Sequence, residues 1–348
     1  MTEKKSCLMI GAGGMAGAWI RHFFPNFKDR MEIVGLVEIR PEVLKEQGDF
    51  LGLAESQRFH DMNDAFGKVE VDFCTIVIPP ASHRQAAVGA AEQGMDILSE
   101  KPIADTWEDC LTIYQAVQKA GVKMQVVQNY RFTPRILTIK KMIEDGQIGK
   151  PNYIMSRFAS DYRRRGAWGM FRHEIPHSLL VEGAVHHFDQ IRNLAGADCQ
   201  TISGWEWNPG HSSFDGECCG TYVMRMTNNL FAHYEGNCLE PGWQNSWHTE
   251  YYRIEGDEAA VLVDNDDKVK ILKLTPDKGL VIEEAPLVSV QWSGHNAIIY
   301  QFLEWLDGGP EPPTVLADNI KTAAMLFGAI EASETNQSVD VVAKAQSI

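Results

Sequence analysis

Over roughly the first 127 residues, short apolar runs alternate with longer stretches whose apolar positions recur at helical spacing. The runs are Cys7–Ile10, Ile33–Val37, Phe73–Ile78, Met95–Leu98 and Lys123–Val127. Between them lie Met15–Phe24, Pro41–Gln47, Ser82–Gln93 and Thr106–Ala120. Strand, helix, strand, repeated, implies crossover connections and a doubly wound parallel sheet with both faces covered. Beyond about residue 150 the rhythm changes, and apolar runs follow one another without helices between them. Tyr153–Ala159, Thr201–Glu206, Gly220–Met226, Leu230–Gly236, Tyr251–Glu255, Ala260–Val263 and Val269–Leu272 read as strands. The turn residues Asn228-Asn229, Gly256-Asp257 and Asn265-Asp266-Asp267 separate several of them, which predicts a large, mainly antiparallel sheet. Helices are expected over Pro134–Asp145, Ser178–Leu194 and Asn296–Leu306 in this half, with a last one at about Asp318–Thr335.

The fold class is therefore α/β, in two domains, as a chain of 348 residues leads one to expect. Three parts are predicted: residues 1–127, residues 128–315, and a C-terminal helical part over residues 316–348. Lys plus Arg number 32 against 47 Asp plus Glu, a formal charge of −15, which disfavours nucleic acid as a partner. The first apolar run is too short for a signal peptide's apolar region or a membrane span, so neither a membrane nor an export route is expected. Seven irregularly spaced cysteines fit reduced thiols in the cytoplasm.

The first chemical signal is Gly11-Ala12-Gly13-Gly14-Met15-Ala16-Gly17, directly after a strand and opening a helix. Gly11 permits the tight turn, Gly13 lets a pyrophosphate approach the backbone, and Ala16 lets the helix pack close to the strand. Gly14 and Met15 stand where helix N–H groups face a diphosphate. The second strand ends near Glu38, 22 residues past Ala16, where a carboxylate accepts hydrogen bonds from the adenosine ribose. That carboxylate favours NAD over NADP, while Arg40, which can stack on adenine or grip a 2′-phosphate, keeps NADP open.

The second signal is Ser99-Glu100-Lys101-Pro102, at the carboxyl end of the strand Met95–Leu98, where ligands bind in an open parallel sheet. Ile76-Val77-Ile78-Pro79-Pro80-Ala81-Ser82-His83 closes the preceding strand. With these motifs together, the chain resembles the Gfo/Idh/MocA oxidoreductases. Gln128-Asn129-Tyr130-Arg131-Phe132-Thr133-Pro134 is similar to the family's Asn-Arg-Arg-Phe-x-Pro segment, with Tyr130 replacing the first arginine. Glu182-Gly183-Ala184-Val185-His186-His187-Phe188-Asp189 is similar to its Asp-x-Gly-x-His-x-x-Asp helix, with Glu182 and Ala184 departing from the pattern.

The resemblance implies a Rossmann domain, an α/β domain with an open antiparallel sheet, and a C-terminal helix returning to the first domain. It implies hydride transfer between a nicotinamide cofactor and a CH–OH group of a sugar, inositol or related polyol, by a homodimer or homotetramer. Lys101 matches the lysine touching cofactor and substrate, and His186 the histidine exchanging a proton with the reacting hydroxyl. Glu182 is the third expected catalytic group. The expected cofactor contacts are Gly11, Gly13, Gly14, Met15, Glu38, Arg40, Pro79, His83, Glu100, Lys101 and Asn129.

Side-chain chemistry supports the same groups. Residues 182, 186 and 189 are spaced i, i+4 and i+7, so they share one face of a regular helix. A carboxylate one turn from an imidazole fixes its tautomer, and an ammonium stabilises a developing alkoxide. Which of Lys101 and His186 takes the proton stays open, as does whether Glu182 orients His186 or meets the substrate. His187 reads as a core-edge side chain pointing elsewhere.

Three clusters need separate weighing. His173, Glu174, His177, Glu182, His186 and His187 crowd together, yet Pro176 interrupts the helix that would align them, and no metal is expected. The basic loop from Asp161 to Arg172 supplies Tyr162, Trp168 and Arg172 as substrate contacts, alongside His186. Trp205, Trp207, Trp243, Trp247 and Trp292 read as sheet packing or a subunit interface in preference to sugar stacking. Two readings from other classes stay open: a dinucleotide-binding sensor without turnover, and a redox-neutral glycosidase or lyase using retained NAD.

Overall fold

The computed structural model describes residues 4–242 and 244–346, so Trp243 lies outside the described residues. Six parallel strands form the first sheet: β1 (Lys5–Ile10), β2 (Met31–Val37), β3 (Arg58–Phe59), β4 (Phe73–Ile76), β5 (Asp96–Ser99) and β6 (Met124–Val126). Their order is β3-β2-β1-β4-β5-β6, the doubly wound Rossmann arrangement, with the reversal between β1 and β4. Cys7 through Ile10 and all of β4 are buried without alternation, as strands covered on both faces must be.

The second sheet has nine strands: β7 (Pro151–Ala159), β8 (Cys199–Trp207), β9 (Cys219–Met226), β10 (Phe231–Asn237), β11 (Tyr251–Gly256), β12 (Ala260–Val263), β13 (Lys270–Thr275), β14 (Gly279–Glu284) and β15 (Val339–Asp340). The order is β14-β13-β12-β11-β7-β10-β9-β8-β15. Every neighbouring pair is antiparallel except β7 with β10. Burial alternates along β9 and β10, so one face packs and the other is open. Trp205 and Trp207 on β8, Val223 on β9 and Phe231 on β10 are exposed large apolar residues.

The division of the chain differs from the sequence expectation. Residues up to Asn129 form one compact unit with Trp292–Ile320, and Tyr130–Gln291 form the second with the chain from Lys321 onward. The return to the first unit therefore begins at Trp292, and the C-terminal helix mostly belongs to the second. The cause is packing. Helix Gly294–Leu306 buries Ala297, Ile298, Phe302 and Leu303, with Phe302 edge-on to Phe73 of β4 at 5.3 Å. Its polar end holds Arg30 through Glu304 at 2.6 Å, and Asp307 just beyond adds a bond at 2.7 Å. Helix Leu316–Thr335 then enters the second unit, where Thr322 donates to Asp189 at 3.1 Å. β15, after that helix, adds a strand beside β8.

Two predicted helices are less regular than their spacing implied. Met15–Ala18 is one α-turn, followed by a π-turn over Trp19–Phe23 and a 3-10 turn over Phe24–Phe27. Leu179–Ala184 is likewise a π-turn, continued as an α-helix over Val185–Ala195. Single π-turns inside helices recur at functional sites. All seven cysteines are buried and unbridged. No helix among the described residues is long and apolar enough to cross a membrane.

Candidate active site

In the first unit the expected cofactor groups gather at the carboxyl ends of the parallel strands. Gly11 follows β1 with φ of 100°, and a Cβ there would sit 2.1 Å from the Val77 carbonyl oxygen. Only glycine brings the chain this close to the end of β4, at the reversal of strand order. A Cβ on Gly13 would meet the Arg40 guanidinium at 1.6 Å, so Gly13 makes room for that side chain as well as for a ligand. Gly14, Met15 and Pro79 are exposed around this turn.

Glu38, 7% exposed, accepts from the Ala12 and Gly13 amides at 3.0 Å through one oxygen. Its other oxygen accepts from Arg40, from Nε at 3.0 Å and the amide at 3.1 Å. Burial favours the neutral acid, but the Arg40 and Ala12 hydrogen bonds hold the carboxyl below its ordinary value. The glycine turn and the Glu38 carboxylate are thus one hydrogen-bonded unit. A glycine cradle beside an ionised carboxylate fits a dinucleotide.

Two expected cofactor contacts are used otherwise. His83 is fully buried, with Nδ1 2.9 Å from the Pro102 carbonyl and Nε2 3.0 Å from the Ile78 carbonyl. It ties the end of β4 to the loop after β5, and has no surface to offer a ligand. Glu100 accepts from the Trp19 indole at 3.0 Å and the Lys101 amide at 3.3 Å, with His295 Nε2 at 3.5 Å. Burial opposes its ionisation, but His295 and Lys101 outweigh it. Glu100 therefore anchors the loop that presents half-buried Lys101, next to the cis peptide bond to Pro102. Asn129 is buried just past β6.

In the second unit the expected substrate groups converge. His186 is 7% exposed and stacks on Tyr130, ring centres 4.7 Å apart and planes 11° from parallel. Trp247 stands edge-on to His186 at 6.3 Å, and Trp168 lies 5.7 Å beyond it. Tyr162 stacks on Trp168 at 5.2 Å and is itself buried, so it supports Trp168 from behind. Burial and the neighbouring Glu250 push the Tyr130 phenol well above its ordinary value, so it stays protonated. Glu182, 2% exposed, accepts from Arg172 Nε at 2.7 Å, and that guanidinium also donates to the Trp168 carbonyl at 2.9 Å.

The supposed common face of residues 182, 186 and 189 divides into separate duties. Asp189 is fully buried in a two-pronged ion pair with Arg131, at 2.6 and 2.7 Å. That pair pins the Tyr130-Arg131 segment, and with it the ring under His186. His187, also fully buried, lies 3.0 Å from the Tyr234 hydroxyl, as its core-edge reading implied. His173 is in the core, with Nδ1 2.9 Å from the Ser213 hydroxyl.

Trp247, expected to pack on the sheet, does pack on Phe158 at 4.5 Å and also stands beside His186. It sits between β10 and β11, where the flanking Asn245 and His248 both have left-handed φ, 62° and 66°. Asn245 is buried and hydrogen-bonded to Arg157 and Asp264, both at 2.8 Å, which makes this loop a rigid mount. Among the other tryptophans, Trp292 packs on Phe27 at 4.9 Å, and Trp205 and Trp207 are exposed on β8.

Comparison with known proteins gives the family and the fold. Residues 5–128 match the Gfo/Idh/MocA model described as an oxidoreductase family with an NAD-binding Rossmann fold. Residues 136–262 match the Gfo/Idh/MocA C-terminal domain. The uncharacterised protein y4oX of Sinorhizobium fredii is 37% identical over 343 residues, 96% of this chain and 95% of its own. A D-apiose dehydrogenase of Rhizobium rhizogenes is 24% identical over 350 residues, 98% of each chain. In fold, the chain resembles an oxidoreductase from Agrobacterium radiobacter solved with NAD+, L-tartaric acid and magnesium. The TM-score is 0.83 at 22% identity, covering 98% of this chain and 99% of that one.

Proposed function

The chain belongs to the Gfo/Idh/MocA oxidoreductase family, with an NAD-binding Rossmann domain, and on that premise we propose that it oxidises or reduces a CH–OH centre of a sugar, inositol or related polyol. The observation that carries the substrate class is the ring series His186, Trp247, Trp168. Flat faces of this kind take the C–H face of a pyranose or cyclitol, and the Arg172–Glu182 pair supplies hydrogen-bonding groups for hydroxyls. The D-apiose dehydrogenase relative supports the same class.

When bound, NAD supplies the acceptor or donor of the hydride. In the oxidative direction the substrate loses its carbinol hydride to the cofactor and its hydroxyl proton to a base, leaving a carbonyl. We assign the proton exchange to His186 and the stabilisation of the developing alkoxide to the Lys101 ammonium. Glu182 aims Arg172, Glu100 and His83 hold the Lys101 loop, and Asp189 with Arg131 holds Tyr130 under His186. The open sheet face with Trp205, Val223 and Phe231 supports a homodimer or homotetramer. Buried, unbridged cysteines support a cytoplasmic setting.

The deciding experiment is a panel of polyols and aldoses, with NAD and NADP in parallel, read by the near-ultraviolet absorbance of the reduced nicotinamide. NAD-dependent turnover of at least one polyol or aldose is expected. Tight NAD binding with no turnover across the panel would overturn the substrate class.

A further inference from the structure

Away from Lys101 and His186, the second unit builds a cluster that no step above uses. His177 lies in the loop after helix Met170–Glu174, Glu206 on β8, and Glu217 in the turn before β9. One donor atom from each lies within 4.8 Å of the other two. His177 Nδ1 is hydrogen-bonded to Glu206 Oε1 and lies 3.6 Å from Glu217 Oε2. On the opposite side of the ring, Nε2 is 3.7 Å from Glu334 Oε1, at the end of helix Leu316–Thr335.

Two features single this out from an ordinary surface ion pair. The first is Glu206 itself. Its side chain is 2% exposed, and its Oε2 has no hydrogen-bond partner. Leaving a buried carboxylate oxygen unsatisfied is costly. The second is the charge balance. Three carboxylates face one imidazole, and His177 is the only ion-pair partner of Glu206 among the described residues. Even with His177 protonated, the carboxylates around it outnumber the cations. The exposures of Glu217 and Glu334, 38% and 62%, leave an entry route from solvent.

We infer that His177, Glu206 and Glu217 bind a first-row divalent cation of the zinc class. One imidazole with two carboxylates is a donor set that such ions accept. Zinc bonds of ~2.0–2.2 Å in a tetrahedron hold their donors roughly 3.4 Å apart, near the 3.6 Å between His177 and Glu217, while His177 and Glu206 must exchange their direct hydrogen bond for bonds to the ion. Glu334 then takes the outer position, accepting from Nε2–H and directing the Nδ1 lone pair at the ion. Water completes the coordination. The ion ties the loop before helix Leu179–Ala184 to β8 and to the C-terminal helix, and so steadies the segment carrying Arg172 and Glu182.

The test uses the full chain loaded with NAD, stripped with a chelator and titrated with Zn2+ by calorimetry, with metal analysis after dialysis. One ion per chain is expected, with a rise in melting temperature. His177→Ala and Glu206→Gln should each weaken that site by about a hundredfold or more, and Glu334→Gln by about tenfold. Glu217→Gln, at the exposed edge, keeps the test valid if a buried substitution unfolds the protein; it too should lose the site. The inference is overturned if no stoichiometric ion binds. It is equally overturned if binding persists unchanged in Glu217→Gln and in whichever other variants fold.

Discussion

At the carboxyl edge of the first sheet, the candidate ligand site is built on main chain: the tight turn at Gly11, with the Ala12 and Gly13 amides held on Glu38. On the second unit they are side chains: stacked rings at Tyr130, His186, Trp247 and Trp168, and the Arg172–Glu182 pair. The first arrangement suits what all dinucleotides share, a diphosphate and a ribose diol. The second can be altered one side chain at a time without disturbing a turn, which suits a half that selects a particular substrate.

The largest expected effect breaks the two halves apart functionally. Lys101→Ala and His186→Ala should each lower turnover by roughly two to four orders of magnitude, the usual worth of a positioned acid, base or charge. Dinucleotide affinity, measured by fluorescence titration, should stay within a few-fold, because the turn and Glu38 are untouched. Near-normal turnover in both variants on a confirmed substrate would remove these residues from the chemistry.

Next is stability. Asp189→Asn removes the carboxylate charge from a fully buried two-pronged pair with Arg131, which costs about 3–5 kcal/mol. Urea unfolding should show that loss. A change below about 1 kcal/mol would mean that Asp189 has no anchoring role.

A smaller effect tests the ring series. Trp247→Ala should raise KM for the sugar or polyol by about tenfold, in line with about 1.4 kcal/mol of lost contact, and leave NAD affinity unchanged. Equal losses in both affinities would contradict a substrate-side duty. Smallest is Glu38→Ala, expected to weaken NAD by roughly fivefold and to narrow its preference over NADP, read by parallel titrations. It also frees Arg40, so a gain in NADP affinity is the sharper sign that the carboxylate sets the choice.

The legibility of the site followed the same line. The Gly11–Ala16 turn could be read because its requirements are local: each glycine answers a backbone constraint set within a few residues of sequence. Glu38 was readable for a related reason, since the length of a crossover places the end of β2 beside that turn. Lys101 and His186 were put forward by the company of motifs. The second sheet's antiparallel character was visible in its succession of strands and turns, but the parallel pairing of β7 with β10 was not. Pairing depends on which strand is free to join, and spacing carries no record of that.

By itself, then, the sequence determined the class of fold and the glycine turn of the NAD-binding domain, and it put forward Lys101 and His186 as candidates for the hydride-transfer chemistry. Tertiary structure decided what each polar group answers to. His83 and Glu100 turned inward onto the loop of Lys101, and Asp189 onto Arg131, because a buried polar group must find a partner and these were within reach. It also decided that Trp247 stands beside His186, although the two are 61 positions apart in the chain. Contacts between distant residues arise from packing the whole domain, while a turn arises from the dihedral limits of its own few residues. The first kind is found only in three dimensions, and the second can be read along one.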